Sequence, residues 1–102
     1  MTSKPGQRYF VYIIETDDGT YYTGQTNDLL RRFREHMSGA ASGAAYLRMH
    51  KPMYLVYLEE VPDRKTALAR EREIKRKRKL RMSLVGSRRD LREVVASERD
   101  YR

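Results

Sequence analysis

The sequence predicts a small α+β domain in which three β-strands are interleaved with helices and the first two strands form an antiparallel hairpin. A chain of 102 residues is long enough for one domain and too short for two well-buried ones. Runs of β-branched and aromatic residues indicate strands, and apolar residues at helical spacing indicate helices. We therefore expect one hydrophobic core shared by all elements.

The first two strands follow from residues 9–24. Residues 9–15 (YFVYIIE) are almost all β-branched or aromatic, and both alternate faces are bulky, which indicates a strand covered on both sides. Residues 17–19 (DDG) are a turn signal, so residues 20–24 should return antiparallel. This pairing brings Tyr12 and Tyr22 onto neighbouring strands.

A helix and a loop follow the hairpin. Residues 26–28 (TND) offer N-cap candidates for an amphipathic helix that should end near Met37. Residues 38–45 (SGAASGAA) are small and Gly-rich and predict a flexible loop. A helical turn is expected over residues 46–49.

The second half of the chain predicts a third strand and a longer helix. Residues 54–61 have strand composition, and Asp63 is placed to cap the helix that follows. Leu68, Glu71 and Ile74 share one stripe of this helix, so Glu71 projects along the side that faces the core.

The C-terminal region is expected to hold two short helices. Residues 80–85 indicate the first, Gly86 a break, and Ser87 the N-cap of the second. We therefore divide the chain into a flexible N-terminal tail, a folded domain and a charged C-terminal helix or tail, at residues 1–7, 8–85 and 86–102.

The composition favours a polyanionic partner. The chain has 22 Lys and Arg against 14 Asp and Glu, a formal net charge of +8, and a pI near 10.0. Residues 51–102 carry sixteen of the basic and nine of the acidic residues, which is +7 of the total. Nucleic acid and an anionic membrane surface both fit such a charge.

The sequence lacks the features of secreted and membrane-spanning proteins. There is no Cys, so disulfide and thiolate chemistry are excluded, and no signal peptide pattern is present. Apolar runs are only a few residues long, too short for a membrane-spanning helix. We expect a cytoplasmic protein without membrane association.

Arg32 and His36 are the first candidates for chemistry. They are four residues apart and therefore stack on one face of the first helix, near the edge that meets the core. The alternative is structural: a solvated charge at Arg32, and at His36 a cation favoured by the helix C-terminus.

Glu71 needs a partner because its carboxylate lies on a core-facing stripe. An unpaired buried charge costs several kcal/mol, so we expect an arginine, a metal ion or a water-filled cleft beside it. The structural alternative is an internal ion pair with Arg32.

Basic residues are concentrated after Glu71. Residues 75–79 (KRKRK) form a block that repels itself unless an anion such as a phosphate backbone neutralises it. A solvated basic face is the alternative. The predicted nucleic-acid contacts are Arg31, Arg34, Lys75, Arg76, Lys77, Arg78 and Lys79.

Together these features indicate phosphodiester hydrolysis. Either tyrosine taken alone is best explained by packing. A hydroxyl that orients water, cations for the developing phosphate charge and a carboxylate for a metal are what that reaction requires.

At these residues the sequence resembles the GIY-YIG nuclease family, and in particular its small stand-alone bacterial branch. Residues 10–12 (FVY) and 22–24 (YTG) stand at the two family triplets. Residues 22–36 continue with the arginine and histidine four apart on a helix, residues 51–60 resemble the third strand, and residues 67–75 (ALAREREIK) resemble the helix with the catalytic glutamate.

The resemblance implies a three-stranded antiparallel sheet flanked by helices, with a C-terminal helical extension in this chain. It implies a single divalent metal, magnesium or alternatively manganese, bound by Glu71. It also implies Tyr22 as general base or water-positioning group, Tyr12 hydrogen-bonded beside it, Arg32 on the phosphate, and His36 in proton transfer or orientation.

The sequence therefore predicts a metal-dependent endonuclease acting on DNA, including branched, damaged or single-stranded DNA in repair. One alternative is a catalytically weak or inactive nucleic-acid-binding module on the same scaffold. Another is a basic protein that depends on a protein partner for targeting, because phosphate contacts position a protein without specifying a sequence.

Overall fold

A computed structural model of the chain describes residues 8–39 and 45–97. The fold is α+β, as predicted, with an antiparallel sheet flanked by helices. The strands are β1 (Tyr9–Thr16), β2 (Tyr21–Thr26), β3 (Pro52–Val61) and β4 (Arg89–Asp90). The helices are α1 (Leu29–Ser38), α2 (Ala45–Met49), α3 (Arg64–Arg76), α4 (Arg78–Leu84) and α5 (Leu91–Ala96).

The sheet has the order β2-β1-β3-β4, so β1 is flanked on both sides. The predicted hairpin joins β1 to β2, and Gly19 in its turn has φ +82°, a conformation that glycine adopts without steric cost. Tyr12 lies directly opposite Gly24, and Ile14 opposite Tyr22. The two tyrosines are thus diagonal neighbours on adjacent strands.

Strand β1 forms the centre of the core, as its two apolar faces predict. On one face Tyr12 packs in a cluster with Phe33 of α1 and Leu91 of α5. On the other face Val11 packs with Ile74 of α3. Helices α1 and α5 therefore cover one side of the sheet, and α3 covers the other.

The caps of the two long helices are as predicted. The Asp28 side chain accepts a hydrogen bond from the backbone N–H of Arg31 at the start of α1, and Asp63 does the same for Thr66 in α3. Helix α1 ends at Gly39, which has φ +69°.

The C-terminal half differs from the prediction in three places. The sheet has a fourth strand, since residues 89 and 90 pair with Leu55 and Tyr54. Asp90 rather than Ser87 caps α5, and its side chain accepts from the N–H of Arg92. A strand of two residues is too short to show an alternation of apolar and polar side chains. Its pairing depends on β3, which is distant in the sequence.

The third difference is the start of the short helix α4, which begins at Arg78, two residues before the predicted residue 80, and so takes up the end of the basic block. Lys77 has an extended backbone, so it ends α3 and begins α4, and the block does not continue a single helix. No glycine or proline indicates this break in the sequence.

Residues 1–7, residues 40–44 and residues 98–102 lie outside the described residues. The predicted N-terminal tail, most of the predicted loop and the end of the C-terminal segment fall there. Within the described ranges, no helix is long and apolar enough to cross a bilayer.

Candidate active site

The Tyr12 hydroxyl is the centre of the polar cluster on the α1 side of the sheet. It lies 2.8 Å from Nε2 of His36, and the guanidinium of Arg32 is also within hydrogen-bonding reach. Burial raises the pKa of Tyr12 well above its usual range, Tyr22 and Glu71 add to the rise, and Arg32 opposes it. The hydroxyl therefore keeps its proton at neutral pH.

His36 is buried and neutral rather than an exposed helix-terminal cation. Its exposed fraction is 2%, and burial together with the charge of Arg32 lowers its pKa to about 4, with Glu35 opposing. Because Arg32 can only donate, the proton arrangement that suits all three groups has Tyr12 donating to Nε2 of His36. Nδ1 of His36 is buried and has no hydrogen-bond partner among the described residues.

Gly24 is what allows the Tyr12 hydroxyl to sit against β2. A Cβ atom at this position would lie 2.5 Å from the Tyr12 Oη and 2.9 Å from Cε2 of Tyr22. Such contacts are too short for any side chain, so the tyrosine pair depends on this glycine. The sequence motif includes Gly24, and the structure gives its physical reason.

Arg32 is held by its neighbour on α1. Its Nη1 donates to Glu35 at 3.0 Å, and the same carboxylate accepts from Arg31 at 3.3 Å. Glu35 thus orients two adjacent guanidinium groups. The sequence left open an internal pair between Arg32 and Glu71; the structure pairs Arg32 with Glu35 and Glu71 with Lys75.

Tyr22 stands in a column of stacked groups. Its ring stacks on Tyr46 at a centroid distance of 6.2 Å, and Tyr46 stacks on His50 at 4.3 Å. The ammonium of Lys75 lies 5.9 Å from the centroid of the Tyr22 ring. At the far end, His50 donates to Asp18 in the hairpin turn at 2.6 Å.

Helix α3 brings Glu71 to this group. Its side chain is 17% exposed and pairs with Lys75 at 2.9 Å, and its charge is close enough to raise the pKa of Tyr12. Lys75 is half exposed, so the pair is solvated and worth little. The carboxylate is therefore neither turned to bulk solvent nor locked in a buried pair.

The residues fit a hydrated magnesium ion bound together with a phosphate. Within the described ranges, no three His, Asp or Glu side chains come together to form a site from protein ligands alone. Magnesium commonly uses one or two carboxylates and completes its shell with waters and phosphate oxygens. The largely buried Glu71 supplies one such carboxylate, and the Lys75 ammonium already places a cation against it.

The predicted nucleic-acid contacts lie on two surfaces. Arg31 and Arg34 are exposed on α1. On α3, Lys75 pairs with Glu71 and Lys77 with Glu73, so part of the basic block is neutralised. The remaining members, Arg76, Arg78 and Lys79, are exposed around the break between α3 and α4.

Several residues near the site were not predicted from the sequence. Tyr46 and His50 are separated from Tyr22 by a Gly-rich segment, and Glu35 looks like an ordinary helix charge. The signal for the stacked column was a tyrosine at the start of the helical turn predicted over residues 46–49 and a histidine directly after its end, four residues apart.

Comparison with known proteins identifies relatives along most of the chain. Residues 8–83 match the family model described as the GIY-YIG catalytic domain. The match spans both strands of the hairpin, α1 and α3, and so includes the whole polar cluster.

Proteins of the UPF0213 group are similar in sequence. The similarity to the Desulfotalea psychrophila protein is 47% identity over 74 residues, covering 72% of this chain and 64% of that protein. A Haloquadratum walsbyi protein is 48% identical over 67 residues, covering 66% of this chain and 73% of the relative. The matched region thus spans less than two thirds of the Desulfotalea protein.

A solved structure is also similar. The solution NMR structure of a UPF0213 protein from Bacillus halodurans is 39% identical, with a TM-score of 0.48, and covers 78% of this chain and 87% of that chain. The names of these relatives state no substrate.

Proposed function

This chain belongs to the GIY-YIG catalytic domain family, a family of nucleases, and from that premise we propose that it is a divalent-metal-dependent endonuclease that hydrolyses phosphodiester bonds in DNA. Branched or damaged DNA is the proposed substrate, and repair the proposed role. The net charge of +8 suits a polyanionic substrate. We also propose that the protein acts in the cytoplasm and that a protein partner directs it to its sites.

One observation carries the proposal. The Tyr12 hydroxyl is hydrogen-bonded to His36 and lies within hydrogen-bonding reach of Arg32, and the charge of Glu71 raises its pKa. A buried hydroxyl costs stability unless it is hydrogen-bonded, as Tyr12 is to His36, and packing alone would be served by phenylalanine at the same position. A cation, two phenols and a carboxylate are the groups that phosphate hydrolysis uses.

Arg32 is proposed to bind the scissile phosphate. Its guanidinium keeps its charge at all relevant pH values and is aimed by Glu35 on one side and Tyr12 on the other. Preoriented donors stabilise charge that develops in the transition state without reorganisation. Arg32 thus neutralises the phosphate as bond breaking begins.

Tyr22 is proposed to orient the attacking water and, as the phenolate, to act as the general base that accepts its proton. Its ring is only partly buried, in contrast to Tyr12, and stacking on Tyr46 fixes its plane. Tyr12 holds its own proton because burial raises its pKa, so it acts as a hydrogen-bonding neighbour. His36 is buried and neutral and positions Tyr12. Its proposed role is therefore orientation of Tyr12 and not proton transfer.

Glu71 is proposed to hold a magnesium ion, with manganese as a substitute, and the ion supplies Lewis-acid stabilisation of the phosphate and lowers the pKa of water. Lys75 must release the carboxylate for this to happen. The solvated, half-exposed pair makes that release inexpensive.

The Glu71–Lys75 pair also favours a second candidate, a binding module without catalysis. If that pair is permanent, the protein would bind phosphates through its basic surfaces and cut nothing. A cleavage panel separates the two functions: single-stranded, duplex, flapped and junction DNA, with magnesium, manganese or chelator, at two salt concentrations. Metal-dependent products support the nuclease, whereas mobility shifts without products on every substrate support the binding module.

A further inference from the structure

A polar cleft of about 400 Å³ opens beside the catalytic cluster. It lies where the end of β2 and the starts of β1, α1 and α3 meet. Its volume falls within the range of ordinary ligand sites. The residues that matter for its chemistry are Tyr9, Asn27, Arg31, Arg32, Glu35 and Arg64.

The cleft is positively charged. Three arginines line it against one glutamate, Glu35, which accepts hydrogen bonds from both Arg31 and Arg32. A guanidinium has five N–H donors, so the contacts of Arg31 with Asp28 and Glu35 leave donors for an oxyanion. The carboxylate therefore orients these cations more than it neutralises the cleft.

Arg64 is the arginine of the cleft for which the fold gives no stabilising role. It is exposed, and within the described residues its side chain makes no ion pair or hydrogen bond. It also lies in the first turn of α3, where the helix dipole disfavours a cation. An anion in the cleft would pair with the guanidinium and would offset the unfavourable interaction between this cation and the helix dipole.

A second observation points to an occupant. Gln25 lines the same cleft, and its Oε1 atom is buried without a hydrogen-bond partner among the described residues. Buried unpaired polar atoms are rare in native proteins and call for an explanation. Exchanging the oxygen and nitrogen of this amide places an N–H donor at the same point, and a phosphate in the cleft would accept a hydrogen bond from it.

Arg32 connects the cleft to the reaction. It lines the cleft and also reaches the Tyr12 hydroxyl, so a strand whose scissile phosphate contacts Arg32 continues into the cleft. We propose that the cleft binds the DNA phosphate next to the scissile one, with Arg64 and Arg31 as its ligands. This inference rests on the proposed function, since it takes the occupant to be a DNA strand.

The test compares Arg64→Ala with Lys65→Ala. Lys65 is also exposed in the first turn of α3 but does not line the cleft, so both variants remove one charge from the same place. Affinity for a fluorescent single-stranded oligonucleotide is measured by anisotropy in chelator, over a series of salt concentrations. Circular dichroism confirms that both variants are folded.

We expect Arg64→Ala to weaken binding roughly threefold to tenfold and to reduce the salt slope by about 0.7, and Lys65→Ala to change affinity less than about twofold. Equal losses in the two variants, or no loss in either, would overturn the proposal. Because chelator prevents cleavage, a selective loss in Arg64→Ala supports the cleft even if the protein proves inactive as a nuclease.

The reacting strand is then probed with a single uncharged methylphosphonate moved along its length. In the parent protein, one position adjacent to the cut should weaken binding, and in Arg64→Ala the same position should have no further effect. Additive losses at every position would exclude a direct contact with Arg64.

Discussion

The Tyr12 hydroxyl and Nε2 of His36 lie 2.8 Å apart, and both residues are almost fully buried. Each would be costly in the core without the other, because a buried polar group needs a hydrogen-bond partner. The pair therefore joins β1 to α1 and fixes the tyrosine whose other neighbour is Arg32. In the proposed mechanism, this bond therefore couples stability to catalysis.

His36 makes stability depend on pH. Its pKa in the folded protein is about 4, against an ordinary value of 6.5, so the unfolded chain binds more protons between these values. Stability should thus be complete above pH 6.5 and fall as the pH drops towards 4, by roughly 2–3 kcal/mol. Urea unfolding at several pH values measures this slope.

The control for this prediction is the variant His36→Gln, whose stability should change less over the same window. His50→Gln removes the chain's other histidine and should keep the slope of the parent. Asp63, whose pKa is lowered, is present in all three proteins and cancels in the comparison. Asp18, whose lowered pKa depends partly on His50, titrates below its ordinary value of 3.8 and so outside this window. A parent slope retained by His36→Gln would show that another group is responsible.

Gly24→Ala should disrupt the tyrosine pair. The new methyl group would lie 2.5 Å from the Tyr12 Oη, so Tyr12 or β2 must move. We expect a loss of roughly 1–3 kcal/mol in unfolding free energy and a large fall in cleavage. Gly86→Ala is the control, because the nearest atom to its Cβ is 3.5 Å away. Similar stability of the two variants would contradict the close packing.

Tyr22→Phe removes only the hydroxyl proposed to take a proton. General acid–base groups contribute roughly 10²- to 10⁴-fold, so kcat should fall by that order while DNA affinity is unchanged. Tyr21→Phe is the matched control, since Tyr21 is the adjacent strand residue and packs on the opposite face with the α3 cluster. A rate profile unaffected by Tyr22→Phe would remove this residue from the mechanism.

Tyr46 is predicted to position the Tyr22 ring. Tyr46→Ala removes the stacked partner and should lower kcat roughly tenfold with little change in KM, because small displacements of reacting groups are costly. Tyr46→Phe keeps the ring and should stay within about twofold of the parent. Loss of activity in the phenylalanine variant would indicate that the Tyr46 hydroxyl acts directly.

The sequence predicted most of the fold because the signals for the long elements are local. The turn at residues 17–19 and the caps Asp28 and Asp63 act within a few residues, and β1 shows its two buried faces in its composition. The fourth strand depends on pairing with a distant part of β3, so no local pattern predicts it, and no glycine or proline marks the break at Lys77.

The residues of the candidate site were predictable from the sequence, but some of the contacts between them were not. Spacing places Arg32 and His36 on one face, and the stripe of α3 turns Glu71 inward. Glu71 and Lys75 are four residues apart on α3, so their pair is also a matter of local spacing. That Tyr22 stacks on Tyr46 depends on where α2 lies relative to β2, which the sequence does not specify.

The most direct test of the catalytic account is the rate of magnesium-dependent DNA cleavage by Glu71→Gln compared with Glu73→Gln. Both variants lose one carboxylate from α3, but Glu73 pairs with Arg70 and Lys77 and, unlike Glu71, does not act on the pKa of Tyr12. The account predicts a loss of about 100-fold or more for Glu71→Gln, with DNA binding in chelator retained, and near-parental cleavage for Glu73→Gln. Glu71→Gln cutting DNA at the parental rate would contradict it.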